Sequence, residues 1–236
     1  MVFDTITTEE KFFNFEHPKT YTYLGLTIGM FAFVIISINK VYLEFDFIET
    51  IFYPVAVISF ITFIASVFFT MFSKEDILIN YTGYLKITSD EFIIDKEKIN
   101  FTDVISIKLS VDDYEGRAKN THSSIRPMYS IGVNNFVEIA TDDKKIEKQI
   151  QICSLRETHL ISDFLSAQIV KNKFTKANPK QLIAIFNDKF KKTTAARNYI
   201  AEQIKNKKIK TVEGLLLMNY SSDEEVKELR KKYNFN

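Results

Sequence analysis

The sequence predicts an α+β membrane protein: two transmembrane helices, then an antiparallel β domain closed by a helix, then a small helical C-terminal region. Three observations carry this. Two long uncharged runs stand near the start of the 236-residue chain. Short segments of alternating apolar and polar residues follow, the mark of half-buried strands. The period then switches to that of a helix, directly after a capping sequence.

The first uncharged run extends from Thr20 to Asn39, and the second from Thr50 to Ser73. A helix needs about 20 apolar residues to cross the hydrocarbon core of a bilayer. Two such runs are rare in soluble folds. Gly25, Gly29 and Pro54 weaken soluble helices but are tolerated in membrane ones. Tyr21, Tyr23, Tyr42 and Tyr53 mark the interfaces. A cleaved signal peptide is disfavoured, because Asp4, Glu9, Glu10 and Glu16 outnumber Lys11 and Lys19. The linker from Lys40 to Glu49 is short, so both ends of the hairpin lie on one side. Lys11, Lys19, Lys74 and Lys86 flank that side against Lys40 in the linker, which predicts cytoplasmic termini. The expected location is the cell (inner) membrane, multi-pass, with residues 1–19 as a cytoplasmic segment and 20–73 as the hairpin. Gly25-x-x-x-Gly29 lets a helix approach closely, either from a second copy of the chain or from its own second span.

Residues 74–171 read as the β domain. Gly83–Thr88 and Glu91–Asp95 form a tight hairpin around Ser89-Asp90. Val104–Val111 alternates, with Ile105, Ile107 and Leu109 opposite Ser106, Lys108 and Ser110. Met128–Val133, Phe136–Thr141 and Ile146–Cys153 follow as strands, with turns at Asn134-Asn135 and Asp142-Asp143. Ser154 and Glu157 make a capping box, after which Leu160, Ile161, Phe164, Leu165 and Ile169 form one apolar stripe. The expected architecture is a small barrel or bent sandwich plugged by this helix.

Tyr84-Leu85-Lys86-Ile87-Thr88, Glu91-Phe92-Ile93-Ile94-Asp95 and Phe101-Thr102-Asp103-Val104-Ile105-Ser106-Ile107 resemble the start of bacterial PH-like domains. In that family a hairpin precedes an x-D-V-x-x-I strand, and a two-helix membrane hairpin often stands just before the domain. The resemblance covers residues 20–171. It implies a binding or scaffolding module and carries over no catalytic residues.

Charge is uneven along the chain. Residues 171–236 hold 16 basic and 7 acidic side chains, while the stretch before them is acidic. Residues 172–236 read as a basic tail of short amphipathic helices. Asn178-Pro179 starts one of them, Thr193 or Thr194 a second and Val212 a third, and Ser222 caps the last. Lys205, Lys207, Lys208 and Lys210 sit in a break between two helices and offer a contact to anionic lipid or nucleic acid. The long polar loop from Asp112 to Pro127 is the other candidate surface, with Asp112, Asp113, Tyr114 and Arg117 as contact residues for a protein partner.

Enzymatic chemistry finds little support. Cys153 is the one cysteine, and His17, His122 and His159 are scattered without metal-ligand spacing. No catalytic, cofactor or metal site is predicted. A membrane enzyme acting on lipid or peptide would place ionisable residues inside the spans, and neither run has any. The leading expectation is a non-enzymatic, membrane-tethered module that scaffolds or recruits a protein at the cytoplasmic face. Anionic-lipid or nucleic-acid binding through the tail is the alternative.

Overall fold

The structure, a computed structural model, describes residues 1–10, 14–119 and 127–235. It divides into two compact units. The first comprises Met1–Thr7, Asn80–Tyr114 and Gly132–Asn236; the second comprises Thr8–Ile79 and Glu115–Ile131. Nine strands are present among the described residues: β1 Val2–Glu10, β2 Ile77–Ile87, β3 Glu91–Ile94, β4 Glu97–Asn100, β5 Ser106–Ser110, β6 Glu115–Ala118, β7 Tyr129–Ile131, β8 Asn135–Ala140 and β9 Lys145–Ile150.

Seven of these form one sheet in the order β4-β3-β2-β1-β9-β8-β5. Two meanders meet at β1 and β9, which run antiparallel with Thr5 opposite Ile150. On its other side β1 meets β2: Ile87 N–H donates to the Met1 carbonyl at 2.8 Å, and the Thr82 and Thr5 hydroxyls lie 3.3 Å apart. The sequence reading assigned no element to residues 1–19, yet β1 is an interior strand. Its Thr-Ile-Thr-Thr run favours extended backbone. Phe3, Thr5 and Ile6 are all buried, so the strand lacks the clean period of two that marks a half-exposed one.

The other predicted strands are present with shifted ends. The predicted Gly83–Thr88 is the inner half of the longer β2, and β4 was not anticipated. Only Ile99 of β4 is buried, so its Glu-Lys start reads as a loop. The expected barrel or sandwich is a single sheet order with β4 and β5 as its ends, joined through a one-turn 3-10 helix at Phe101–Asp103.

Helix α3 follows, Leu155–Val170, after the helices α1 Pro18–Ile38 and α2 Asp46–Met71 of the second unit. Ser154 caps it, accepting from the Glu157 N–H, and the Glu157 carboxylate accepts from the Cys153 N–H at 2.9 Å. The buried stripe is narrower than predicted. Ile161, Leu165 and Ile169 are sealed, Phe164 is half-buried and Leu160 is exposed. Five shorter helices complete the first unit: α4 Pro179–Ala184, α5 Asp188–Lys191, α6 Thr194–Lys205, α7 Thr211–Leu217 and α8 Asp223–Tyr233. Leu182, Ile183, Phe186, Ala196 and Ile200 belong to the same apolar core as Phe92, Ile107 and Ile150 of the sheet. Residues 172–236 therefore share the unit of the β domain instead of standing as a separate tail. Helices this short gain most of their stability from packing an apolar face against other elements.

In the second unit α1 and α2 pack as an antiparallel pair joined by a π-helical turn, Asn39–Leu43. Both are long and apolar enough to cross a membrane. Their burial is inverted relative to a soluble protein. Thr20, Thr22, Gly25 and Ala32 of α1 and Ser59, Ser66 and Thr70 of α2 are buried. Phe31, Phe33, Phe60 and Phe69 point outward and are more than 60% exposed. The Thr22 hydroxyl donates to Ser66 Oγ at 3.0 Å, across the pair. At the turn, Asn39 accepts from the Phe45 N–H at 3.0 Å and donates to the Phe45 carbonyl at 3.1 Å. Gly25 faces the chain's own second helix: a Cβ there would stand 2.9 Å from the Ser59 carbonyl and 3.0 Å from the Phe63 nitrogen. Of the two partners expected for the glycine pair, the structure supplies the intramolecular one.

Candidate functional site

The predicted acidic-loop residues separate. Asp113 is buried. Its Oδ2 accepts from the Asn134 N–H at 3.1 Å and from Asn134 Nδ2 at 3.2 Å. Its own N–H donates to Asn135 Oδ1 at 3.0 Å, and Asn135 Nδ2 donates to the Gly132 carbonyl at 2.9 Å. These bonds tie the end of β5 to the turn before β8, so the carboxylate is a fold element. Tyr114 packs half-buried against the core, and Asp112 is exposed. Arg117 lies in β6, in the second unit. Part of the expected loop is thus a strand, and residues 120–126 of it lie outside the described residues.

Within the second unit β6 and β7 pair as a two-stranded ribbon, with Glu115 opposite Ile131 and Ala118 opposite Tyr129. Tyr129 bridges to Lys74, just after α2, and its carbonyl accepts from the Glu75 N–H at 3.0 Å. Lys74 pairs with Glu115 at 2.6 Å, and Glu75 pairs with Lys119. His17 Nε2 lies 2.9 Å from the Lys74 carbonyl, and Asn14 Nδ2 donates to Asp76 Oδ1 at 2.8 Å. Residues 73–76 thereby hold the ribbon and the start of α1 together. The contacts are partly exposed, which suits a fastening more than a reaction centre. Sequence reading missed this cluster, because its partners lie 41 to 62 positions apart.

The lysine break is laid out as the sequence suggested. Lys205 ends α6, Lys207 takes a left-handed conformation with φ of 58°, and Lys210 precedes α7. All four of Lys205, Lys207, Lys208 and Lys210 are exposed. Five other basic residues after position 171 form ion pairs: Lys173 with Asp90, Lys176 with Asp142, Lys180 with Glu213, Lys191 with Asp188 and Arg197 with Glu225. The Lys173 and Ser89 hydrogen bonds hold the Asp90 carboxyl below its ordinary range. Among the described residues the four break lysines have no such partner. They are one cluster of uncompensated charge in this region; the exposed Arg230, Lys231 and Lys232 in the last turn of α8 are another.

No three His, Cys, Asp or Glu side chains gather as a metal-binding group among the described residues. Cys153 is exposed just before α3, and His159 is exposed on that helix. His122 lies outside the described residues. No protein family matches the chain, and comparison with curated proteins and with solved structures finds no match.

Proposed function

We propose that this chain is a membrane-anchored, non-enzymatic scaffold, a PH-like module that holds a protein partner at the cytoplasmic face. The observation that carries the reading is the insertion of the helical hairpin between two neighbouring strands. Met1 pairs with Ile87 and Thr5 lies beside Thr82, so the chain leaves and re-enters the sheet at one end. An excursion across a bilayer from that point must go out and return. Outward phenylalanines with inward threonine and serine support a lipid environment for the pair, since in lipid every polar group needs an internal partner. The sheet order, two meanders joined at β1 and β9 and then followed by α3, supports the PH-like resemblance. The partner surface on this reading is the exposed side of Asp112 and Tyr114, with Asp113 positioning both.

Cys153 provides the test, because it is the one cysteine and it is exposed. A membrane-impermeant maleimide should label it in inverted membrane vesicles and leave it unlabelled in intact cells. With Cys153→Ser as background, Tyr42→Cys in the hairpin turn should show the reverse pattern. Labelling of Cys153 from outside the cell would overturn the cytoplasmic assignment, and recovery of the chain in the soluble fraction would overturn the anchor.

A second reading, anionic-lipid contact, rests on the four unpaired lysines. Each basic side chain close to an anionic membrane surface contributes about 1 kcal/mol. The membrane is already at hand for a tethered chain, which favours lipid over nucleic acid. Vesicles with anionic lipid, offered together with duplex DNA at fixed ionic strength, separate the two.

A further inference from the structure

β2 runs for eleven residues, Ile77–Ile87, and β3 covers only one end of it. Leu85, Lys86 and Ile87 pair with Ile94, Ile93 and Phe92. Asp95 then ends the pairing. Its backbone takes the left-handed conformation with φ of 58°, its N–H donates to the Tyr84 carbonyl at 2.9 Å, and its Oδ1 accepts from the Tyr84 N–H at 3.0 Å. A side chain at position 83 would collide with that carboxylate, and Gly83 has none. Beyond this point no strand among the described residues pairs with β2 on the side away from β1. Successive residues of a strand send their N–H and C=O groups to opposite sides. Ile87 bonds to Met1, just before β1, and Tyr84 bonds to Asp95, just after β3. By that alternation Thr82, Asn80 and Leu78 aim their backbone groups at the uncovered side, and all three residues are exposed.

The two end strands of the sheet are protected by the usual devices against edge pairing. β4 is four residues long and presents Glu97 and Lys98 to solvent. β5 carries Lys108, and α4 packs against it. The outer part of β2 has no such device: Ile77–Leu85 contains no charged residue and no proline. We infer that this open edge of β2 accepts one extended segment of another polypeptide, which takes the place of a longer β3. Leu78, Asn80 and Thr82 offer three N–H donors and three C=O acceptors in one row. The row repeats every second residue, about 6.6 Å along the strand. A second extended backbone matches that spacing, and its own groups are unpaired until it binds. A helix does not fit, because its backbone groups are already bonded internally. Ile77 and Ile79 continue the face of the buried Leu85 and Ile87 and are themselves half-buried. An incoming strand sets its alternate side chains beside them, so apolar or β-branched residues at every second position suit the site. The open stretch Ile77–Gly83 takes a segment of about seven residues. This edge is a surface other than Asp112 and Tyr114, and it does not rest on the scaffold reading above.

The test uses the full chain in phosphatidylcholine nanodiscs and a phage-displayed library of random peptides, counter-selected on empty discs. Selected peptides are synthesised with a fluorophore, and their affinity is read by anisotropy. They should carry apolar or β-branched residues at alternate positions. Asn80→Pro and Leu78→Pro each remove one outward N–H, and a strand tolerates proline where that N–H has no partner in the fold. Each should weaken binding by about ten-fold or more, since a hydrogen bond is lost and the ring obstructs the incoming strand. Thermal unfolding verifies that the variants are folded, and if one fails the other still reports. Methylating the peptide's own backbone nitrogens needs no variant of the protein. Methylation at every second residue should weaken binding by a similar factor, and methylation at the residues between should leave it within about two-fold. The inference falls if the library yields no peptide that binds the loaded discs, if binding is unchanged in both proline variants, or if methylation acts without the alternation. It also falls if Asn80→Cys, on a Cys153→Ser background, forms a disulfide-linked dimer in discs holding two copies, which would assign the edge to a second copy of this chain.

Discussion

Gly25 and Gly29 occupy one stripe of α1, and only Gly25 is pressed against backbone. A methyl group at Gly25 would meet the Ser59 carbonyl and the Phe63 nitrogen at 2.9 and 3.0 Å, atoms that cannot rotate away. At Gly29 the nearest atom is the Ser59 Cβ at 3.4 Å, an ordinary contact. Gly25→Ala should therefore push the two helices apart and destabilise the pair by about 1–3 kcal/mol. Gly29→Ala should be nearly neutral, as thermal unfolding in nanodiscs would measure. An equal effect at both positions would mean that the pair packs otherwise. A second residue-scale effect concerns acid. Glu138 accepts hydrogen bonds from Lys145 and Lys108, which hold its carboxyl below the ordinary 4.5 and raise Lys145. A depressed folded-state value stabilises the fold above about pH 4.5, and that contribution disappears as pH falls through the lowered value. Glu138→Gln should flatten this part of the curve of melting temperature against pH and leave the curve above pH 6 parallel to the natural chain's. The pair is exposed on its lysine side, so added salt should shrink the difference.

At the scale of elements, α3 illustrates how a correctly read stripe still misassigns its centre. The 3.6-residue period identifies Ile161, Phe164, Leu165 and Ile169 as one face. Packing decides that Leu165 sits at the middle, sealed from solvent, while Phe164 stands at the margin. Leu165→Ala should cost about 2–5 kcal/mol through the cavity it leaves. Phe164→Ala should cost less than that despite removing a larger side chain. Chemical denaturation of the two variants ranks them, and the opposite ranking would move the centre of the helix–sheet contact. The short helices behind α3 follow the same logic: their caps at Asn178, Thr193 and Ser222 are all used as read, yet their partners are core residues of the sheet.

For the whole molecule, the insertion between β1 and β2 predicts which excisions fold. A chain cut to residues 74–171 loses β1 and exposes the edges of β2 and β9 at the centre of the sheet. It also loses the helices that share its core. Such a fragment should aggregate, because long unpaired strand edges are templates for association. A chain in which Thr7 is joined to Asn80 by a short Asn-Gly turn keeps the first unit's strands and helices. The two ends belong to paired antiparallel strands, so a hairpin turn spans them. That chain should be soluble and monomeric and should unfold cooperatively; circular dichroism and size-exclusion chromatography check it. Solubility of the 74–171 fragment, with failure of the joined chain, would overturn the strand order.

What the sequence determined on its own was whatever depends on neighbours within a few residues. Uncharged runs of helical length, alternation in β5 and β8, and the capping boxes at Ser154 and Ser222 express local periodicity and local hydrogen bonding, and each was readable. The four lysines of the break were legible too, since a charge run needs no partner to be seen. Tertiary structure alone decided the rest. β1 is a strand at the centre of the sheet because β2 and β9, far away along the chain, supply its hydrogen bonds and its burial. Asp113 changed from a surface acid to a buried fastening because Asn134 and Asn135 come beside it. Burial and pairing are properties of chain segments brought together from afar, and no window along the sequence contains both partners.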